Sequence, residues 1–144
     1  MNKVFNVGLI GCGHISETYF RGHDYFNNFK IVKCADINLE NAKKCADTYG
    51  ITSCSVEELL NDPEIEIILN LTIPRAHYEV AKKSLENGKH VYSEKPMAVN
   101  FSEGEELLAL SKSKGLYIGN APDTFLGAGI QKSIDLINKN KIGN

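Results

Sequence analysis

Along the first third of the chain, two spacings of apolar residues alternate. Val4, Val7, Leu9 and Ile10 form a short apolar run that breaks at Gly11, as a strand buried on both faces would. Ile15, Tyr19, Gly22 and Phe26 then recur at helical spacing, which puts the glycine-rich stretch between a strand and a helix. Residues 31–35 predict a second strand closing on Asp36, and Leu39, Ala42, Ala46 and Tyr49 stripe a helix that ends at Gly50. A short strand over 51–54 leads to Ser55 and Glu58, which have the S-x-x-E spacing of a capping box and open a brief helix closed by Asp62-Pro63.

The alternation continues to the end. Residues 65–71 form the most strand-like run, and Pro74 suits the first turn of a helix carrying Val80, Ala81 and Leu85 and ending at Gly88. Residues 90–93 predict a fifth strand, and Phe101, Leu107, Leu108 and Leu110 a fifth helix starting near Asn100. Residues 116–119 predict a sixth strand, and Ile130, Ile134 and Ile137 stripe a last helix over about 127–138. Strand and helix repeated with short connections predict an α/β fold. Its form is a doubly wound parallel (Rossmann) sheet of about six strands, with helices on both faces and right-handed crossovers.

A chain of 144 residues fits one such domain, with a core large enough to stand without disulfides or metals. A net charge of −2, 42% hydrophobic and 24% charged residues give no electrostatic bias toward nucleic acid or acidic membranes, so neither is expected as a partner. No stretch approaches the ~20 apolar residues of a membrane span. Leu9-Ile10-Gly11-Cys12 superficially resembles a lipoprotein cleavage site, but the preceding apolar stretch is short and broken by Asn6, so export is not expected. Cys12, Cys34, Cys45 and Cys54 form no C-x-x-C pair and have no zinc-like spacing; they are expected to be reduced, with no metal, in a cytoplasmic protein.

Gly11-Cys12-Gly13-His14-Ile15-Ser16 matches G-x-G-x-x-G except that Ser16 replaces the third glycine. Gly11 permits a tight turn, Gly13 lets backbone N–H groups approach a pyrophosphate, and the helix that starts there offers its positive end to that charge. Ser16 is small enough for close helix-to-strand packing. Asp36 answers the turn at the end of the second strand, 25 residues beyond Gly11 (36 − 11 = 25), where ~20 is usual. A carboxylate there accepts hydrogen bonds from the adenosine ribose and repels a 2′-phosphate. No arginine follows it, so NAD is expected rather than NADP. The plainer alternative makes Asp36 only the cap of the helix starting near Leu39.

Ser93-Glu94-Lys95-Pro96 ends the fifth strand and places a lysine at the carboxyl edge of the sheet, where ligands bind in such folds. Taken alone, that lysine is equally well a solvated surface charge. Asn70 and Asn120, also near carboxyl ends of strands, are further candidates for nicotinamide or ribose contacts.

Four segments together resemble the Gfo/Idh/MocA family, named for glucose–fructose oxidoreductase and inositol dehydrogenase. They are Gly8-Leu9-Ile10-Gly11-Cys12-Gly13-His14-Ile15, then Thr72-Ile73-Pro74 with His77, then Gly88-Lys89-His90-Val91-Tyr92-Ser93-Glu94-Lys95-Pro96, and finally Ala121-Pro122-Asp123-Thr124-Phe125-Leu126-Gly127. The last two are more specific than the glycine turn.

The resemblance implies an NAD(P)-dependent dehydrogenase moving hydride between nicotinamide and a hydroxyl of a sugar, cyclitol or related polyol. Lys95 is then the active-site lysine, close to the nicotinamide and the substrate hydroxyl, with Pro96 holding the backbone extended beside it. Gly11, Gly13, His14, Ile15, Asp36, Thr72, Pro74, His77, Glu94 and Lys95 form the cofactor site. Residues 1–121 are the Rossmann domain, and 122–144 a linker helix leading toward a C-terminal substrate domain. That domain normally supplies an aspartate and a histidine to the active site. The chain ends about where it would begin, so truncation, cofactor binding without turnover, and a monomer in place of the parent's homo-oligomer are expected.

Other functions remain open from sequence. A non-catalytic dinucleotide sensor or scaffold would use the same fold. A methyltransferase using S-adenosylmethionine offers no reason for Glu94-Lys95-Pro96, and a short-chain dehydrogenase would need a Tyr-x-x-x-Lys pair that the chain lacks.

Overall fold

The computed structural model describes residues 3–23, 25–122 and 126–142. Strands and helices alternate throughout: β1 (Phe5–Ile10), α1 (Ser16–His23), β2 (Phe29–Ala35), α2 (Leu39–Tyr49), β3 (Thr52–Ser53) and α3 (Val56–Asn61) make the first half. The second half is β4 (Ile67–Asn70), α4 (Pro74–Glu86), β5 (His90–Ser93), α5 (Phe101–Lys114), β6 (Ile118–Asn120) and α6 (Ala128–Asn138). The strands form one sheet in the order β3-β2-β1-β4-β5-β6, with every pairing parallel. This is the doubly wound α/β fold expected from the alternating periods, and its strand order reverses between β1 and β4. In such sheets the crevice outside the carboxyl ends at that reversal receives the ligand.

β1 shows why the buried strands read as apolar runs. Val7 and Leu9 pack with Phe20, Cys45 and Ala46 of α1 and α2 on one face, while Ile10 packs with Leu59, Leu60 and Ile65 on the other. A third cluster joins Ala81 and Leu85 of α4 to Val91 and to Leu107 of α5. Burying each of these leucines contributes about 1.5–3 kcal/mol relative to leaving it exposed.

The helix ends follow their local chemistry. Ser55 Oγ accepts the Glu58 N–H at 3.2 Å while Glu58 Oε2 accepts the Ser55 N–H at 2.8 Å, so the capping box is present as the spacing predicts. Gly50 and Gly115 close α2 and α5 in the left-handed conformation. Asn38, whose side chain accepts the Glu40 N–H, caps α2; the alternative that made Asp36 the cap is therefore corrected.

Several boundaries and stripes differ from expectation. β3 is two residues long, β4 loses its outer residues, and β6 begins at Ile118 rather than at 116, because pairing with a neighbour and not apolarity alone defines a strand. α1 ends at His23, leaving Phe26 beyond it and exposed. Phe101 is 83% exposed, so the stripe of α5 is narrower than its apolar residues suggest. α6 forms over nearly the expected span, but Ile130, Ile134 and Ile137 are each more than 40% exposed and none of its residues is buried. Asp123, Thr124 and Phe125 of the last family-like segment lie outside the described residues.

Candidate functional site

The turn after β1 is built against the loop after β4. Gly11 has φ +102°, and a Cβ placed on it would meet the Leu71 carbonyl oxygen at 2.6 Å and the Thr72 nitrogen at 2.8 Å. Only glycine meets both demands. The backbone here is already engaged, with the Gly11 N–H donating to Ala35 and the Leu71 N–H to Ile10. Gly13 is the converse: a Cβ there would face open space, and the residue is exposed.

Among the described residues, the backbone N–H groups of Gly13, His14 and Ile15 have no hydrogen-bond partner, as befits the residues leading into the first turn of α1. His14 and Ile15 are exposed beside them. Ser16, in the place of the third glycine, is buried and donates its hydroxyl to the Gly13 carbonyl at 2.7 Å.

Asp36 is joined to this turn. Its Oδ2 accepts the Cys12 N–H at 2.7 Å and its Oδ1 the Asn38 N–H at 2.8 Å, so one carboxylate ties the glycine turn to the β2–α2 turn. Each oxygen keeps a lone pair for a further donor. Beneath the turn lie three thiols. Hydrogen bonding with Cys34, then burial, pushes the Cys12 thiol far up, while the same contact draws Cys34 down; burial pushes Cys45 up to about 11.

Beyond the reversal point, a polar row lines the carboxyl edge: Asn70, Ser93 and Asn120 stand in register on β4, β5 and β6. Asn70 is fully buried, donating to the His77 carbonyl at 2.9 Å and accepting the Thr72 hydroxyl at 2.7 Å. Asn120 donates to the carbonyls of Ser93 and Glu94 at 3.0 and 2.8 Å. Both side-chain amides are thus spent on holding loops. Ser93 Oγ is buried without a partner.

His77 is 1% exposed. Its Nδ1 faces the Pro96 carbonyl and its Nε2 lies 2.9 Å from that of Thr72, so the ring bridges the loops after β4 and β5. A neutral imidazole donates to only one of these oxygens at a time. Thr72 is half-buried, while Ile73 and Pro74 are exposed at the head of α4. Glu94 accepts the Tyr19 phenol at 2.8 Å and the Lys95 N–H at 3.1 Å, while burial, then the Glu94 carboxylate, raises the phenol's pKa. Lys95 is exposed at the sheet edge, and the Lys95–Pro96 bond is cis.

The sequence residues thus fall into two clusters along one edge. Gly11, Gly13, His14, Ile15 and Asp36 meet around the first turn; Thr72, Pro74, His77, Glu94 and Lys95 occupy the loops after β4 and β5. Sequence reasoning missed Tyr19, whose helical spacing marked it as core and said nothing of its hydroxyl. It also missed the meeting of Cys12, Cys34 and Cys45, which no local spacing signals.

The family described as "Oxidoreductase family, NAD-binding Rossmann fold" matches residues 5–121. The inositol 2-dehydrogenase/D-chiro-inositol 3-dehydrogenase of Lactiplantibacillus plantarum is 30% identical over 116 residues, 78% of this chain and 33% of that protein. The scyllo-inositol 2-dehydrogenase (NADP(+)) of Bacillus subtilis is 32% identical over 114 residues, 78% of this chain and 31% of that one. Among solved structures, biliverdin reductase from Synechocystis, in complex with biliverdin and NADP+, superposes with TM-score 0.85 at 30% identity, over 93% of this chain and 43% of that one. The chain spans about a third or less of the length of the curated relatives it matches. By the match over residues 5–121, the chain belongs to the Gfo/Idh/MocA oxidoreductase family and carries its NAD-binding Rossmann fold.

Proposed function

We propose that this chain binds NAD, in preference to NADP, as the dinucleotide domain of a dehydrogenase acting on a hydroxyl of a sugar, cyclitol or related polyol. The observation that carries the reading is the turn after β1, where Gly13 leaves space beside three unbonded N–H groups and Asp36 is tied to the same turn. These groups would hold the pyrophosphate, with His14 and Ile15 flanking it and the Asp36 carboxylate accepting ribose hydroxyls. A 2′-phosphate would meet that carboxylate with no arginine near it in the β2–α2 turn to offset the repulsion. The relatives' names include both an NADP(+) enzyme and enzymes without a stated cofactor, so this preference rests on Asp36.

Thr72, Pro74 and Glu94 would line the nicotinamide end, with His77 holding the two loops that present them. When bound, the nicotinamide supplies or accepts the hydride. Lys95 donates a hydrogen bond to the reacting oxygen and moves its proton, as an exposed lysine at the sheet edge is free to do once substrate covers it. The inositol dehydrogenases among the relatives support a polyol substrate. Residues 1–121 form the cofactor domain and 122–144 the link to a substrate-binding domain, whose groups turnover requires in addition to Lys95. The chain works in the cytoplasm.

Calorimetric titration with NAD and, separately, NADP tests the reading. Binding of NAD at least about tenfold tighter than NADP is expected, a difference of about 1.4 kcal/mol. Absence of binding to either dinucleotide at millimolar concentration overturns it, and a preference for NADP overturns the role of Asp36.

A further inference from the structure

Three thiols from three separate elements converge beneath the glycine turn. Cys12 lies in the turn itself, Cys34 one residue before the end of β2, and Cys45 in the second half of α2. Their sulfurs all lie within 4.8 Å of one another. A triangle of sulfurs at that upper limit has its centre about 2.8 Å from each, and metal–thiolate bonds are about 2.3 Å, so each side chain need close by about half an ångström. The trio is not sealed: Cys12 is half-buried, and together with Cys45 it lines a groove shared with Gly13, Lys44 and Tyr49. The sulfur contacts that would yield are weak ones, from Cys12 to the Ala35 carbonyl at 3.6 Å and from Cys34 to the Ala42 carbonyl at 3.3 Å.

The donor set selects the ligand. Three sulfurs without a nitrogen or oxygen donor suit a soft cation and exclude magnesium and calcium. Among the described residues no histidine or carboxylate joins the three, whereas zinc sites are almost always four-coordinate. A trigonal d10 ion needs only the three. We propose that Cys12, Cys34 and Cys45 form a trigonal thiolate site for one soft monovalent cation of the copper(I) class. Loading exchanges three S–H bonds for three S–Cu bonds, releases three protons and transfers no electron. The Lys44 ammonium along the groove offsets part of the complex's net negative charge. The loaded site ties the glycine turn, β2 and α2 into one unit. This inference stands apart from the dinucleotide reading, since it uses side chains beneath the turn and not its N–H groups.

Anaerobic titration of the reduced protein with copper(I), followed by copper X-ray absorption, tests it. One equivalent bound with three sulfur neighbours is expected. Cys12→Ser and Cys45→Ser should each leave two sulfurs and weaken binding by more than about tenfold, while Cys54→Ser, outside the trio, leaves binding unchanged. Two or fewer sulfur neighbours in the unsubstituted protein overturns the proposal whether or not the variants fold. Equal weakening by Cys54→Ser overturns it too.

Discussion

On the β1–β2 side of the sheet's carboxyl edge the chain is held by backbone contacts with almost no clearance. On the β4–β6 side it is held by side chains bonded to carbonyl oxygens. Gly11 meets the Leu71 and Thr72 backbone so closely that no side chain fits, and Asp36 fixes the turn through two backbone N–H groups. Across the reversal point, Asn70, His77 and Asn120 reach from strands and a helix to carbonyls of neighbouring loops. Steric fit of backbone against backbone admits one residue type. A web of side-chain hydrogen bonds spreads the same task over several residues, and losing one leaves the others in place. The first side should therefore fail abruptly and the second by degrees.

The largest expected effect is Gly11→Ala. It places a methyl in backbone contact at a positive φ, and should cost about 2–4 kcal/mol of unfolding free energy in urea and abolish dinucleotide binding. A loss below about 1 kcal/mol would erase the contrast between the two sides. His77→Leu keeps the volume roughly but strands two carbonyls, and should cost about 1–3 kcal/mol in the same measurement while leaving dinucleotide binding within a few-fold.

Asp36→Ala should cost about 1–2 kcal/mol from the freed Cys12 and Asn38 N–H groups, and should shrink the NAD-over-NADP ratio in calorimetry. An unchanged ratio with lowered stability would leave Asp36 a purely structural clip. Ser93→Ala is expected to be neutral or stabilising by up to about 1 kcal/mol, because the hydroxyl it removes is buried and unpartnered. If it weakens dinucleotide binding while stability holds, the polar row faces the ligand and does more than hold loops.

The smallest effect is electrostatic and lies away from both sides of the edge. Hydrogen bonding from Lys33 holds the Asp62 carboxyl below its usual range. The pair's stabilisation is therefore present above the unfolded carboxylate pKa of about 4 and is lost as pH falls through the lower folded value. Unfolding midpoints followed between pH 5 and pH 2 should fall less steeply in Asp62→Asn than in the original protein. Equal slopes would mean that the pair contributes nothing.

Much of the architecture is legible in the residues because strand and helix periods differ and each terminus has its own chemistry. The capping box at Ser55 and Glu58, Pro74 at the head of α4 and Gly50 after α2 all act through neighbours within four residues. The glycine turn is readable for the same reason, since its geometry is set by adjacent residues. Edges were less legible. The apolar run over 65–71 overshoots β4, and Phe101 sits in an apolar stripe yet is exposed, because which part of a run pairs or packs depends on a neighbour remote in sequence.

Sequence alone determined the alternation of strand and helix, the family, and the two clusters of candidate residues at one sheet edge. Tertiary structure alone decided what those residues touch. Asp36 bonds the turn 24 residues before it, His77 bridges two loops, Tyr19 reaches Glu94 across 75 residues, and three cysteines without a recognisable spacing meet within 4.8 Å. Periodicity reports which face of an element is apolar, but contact between elements follows from strand order and packing, and these exist only once the chain has closed on itself.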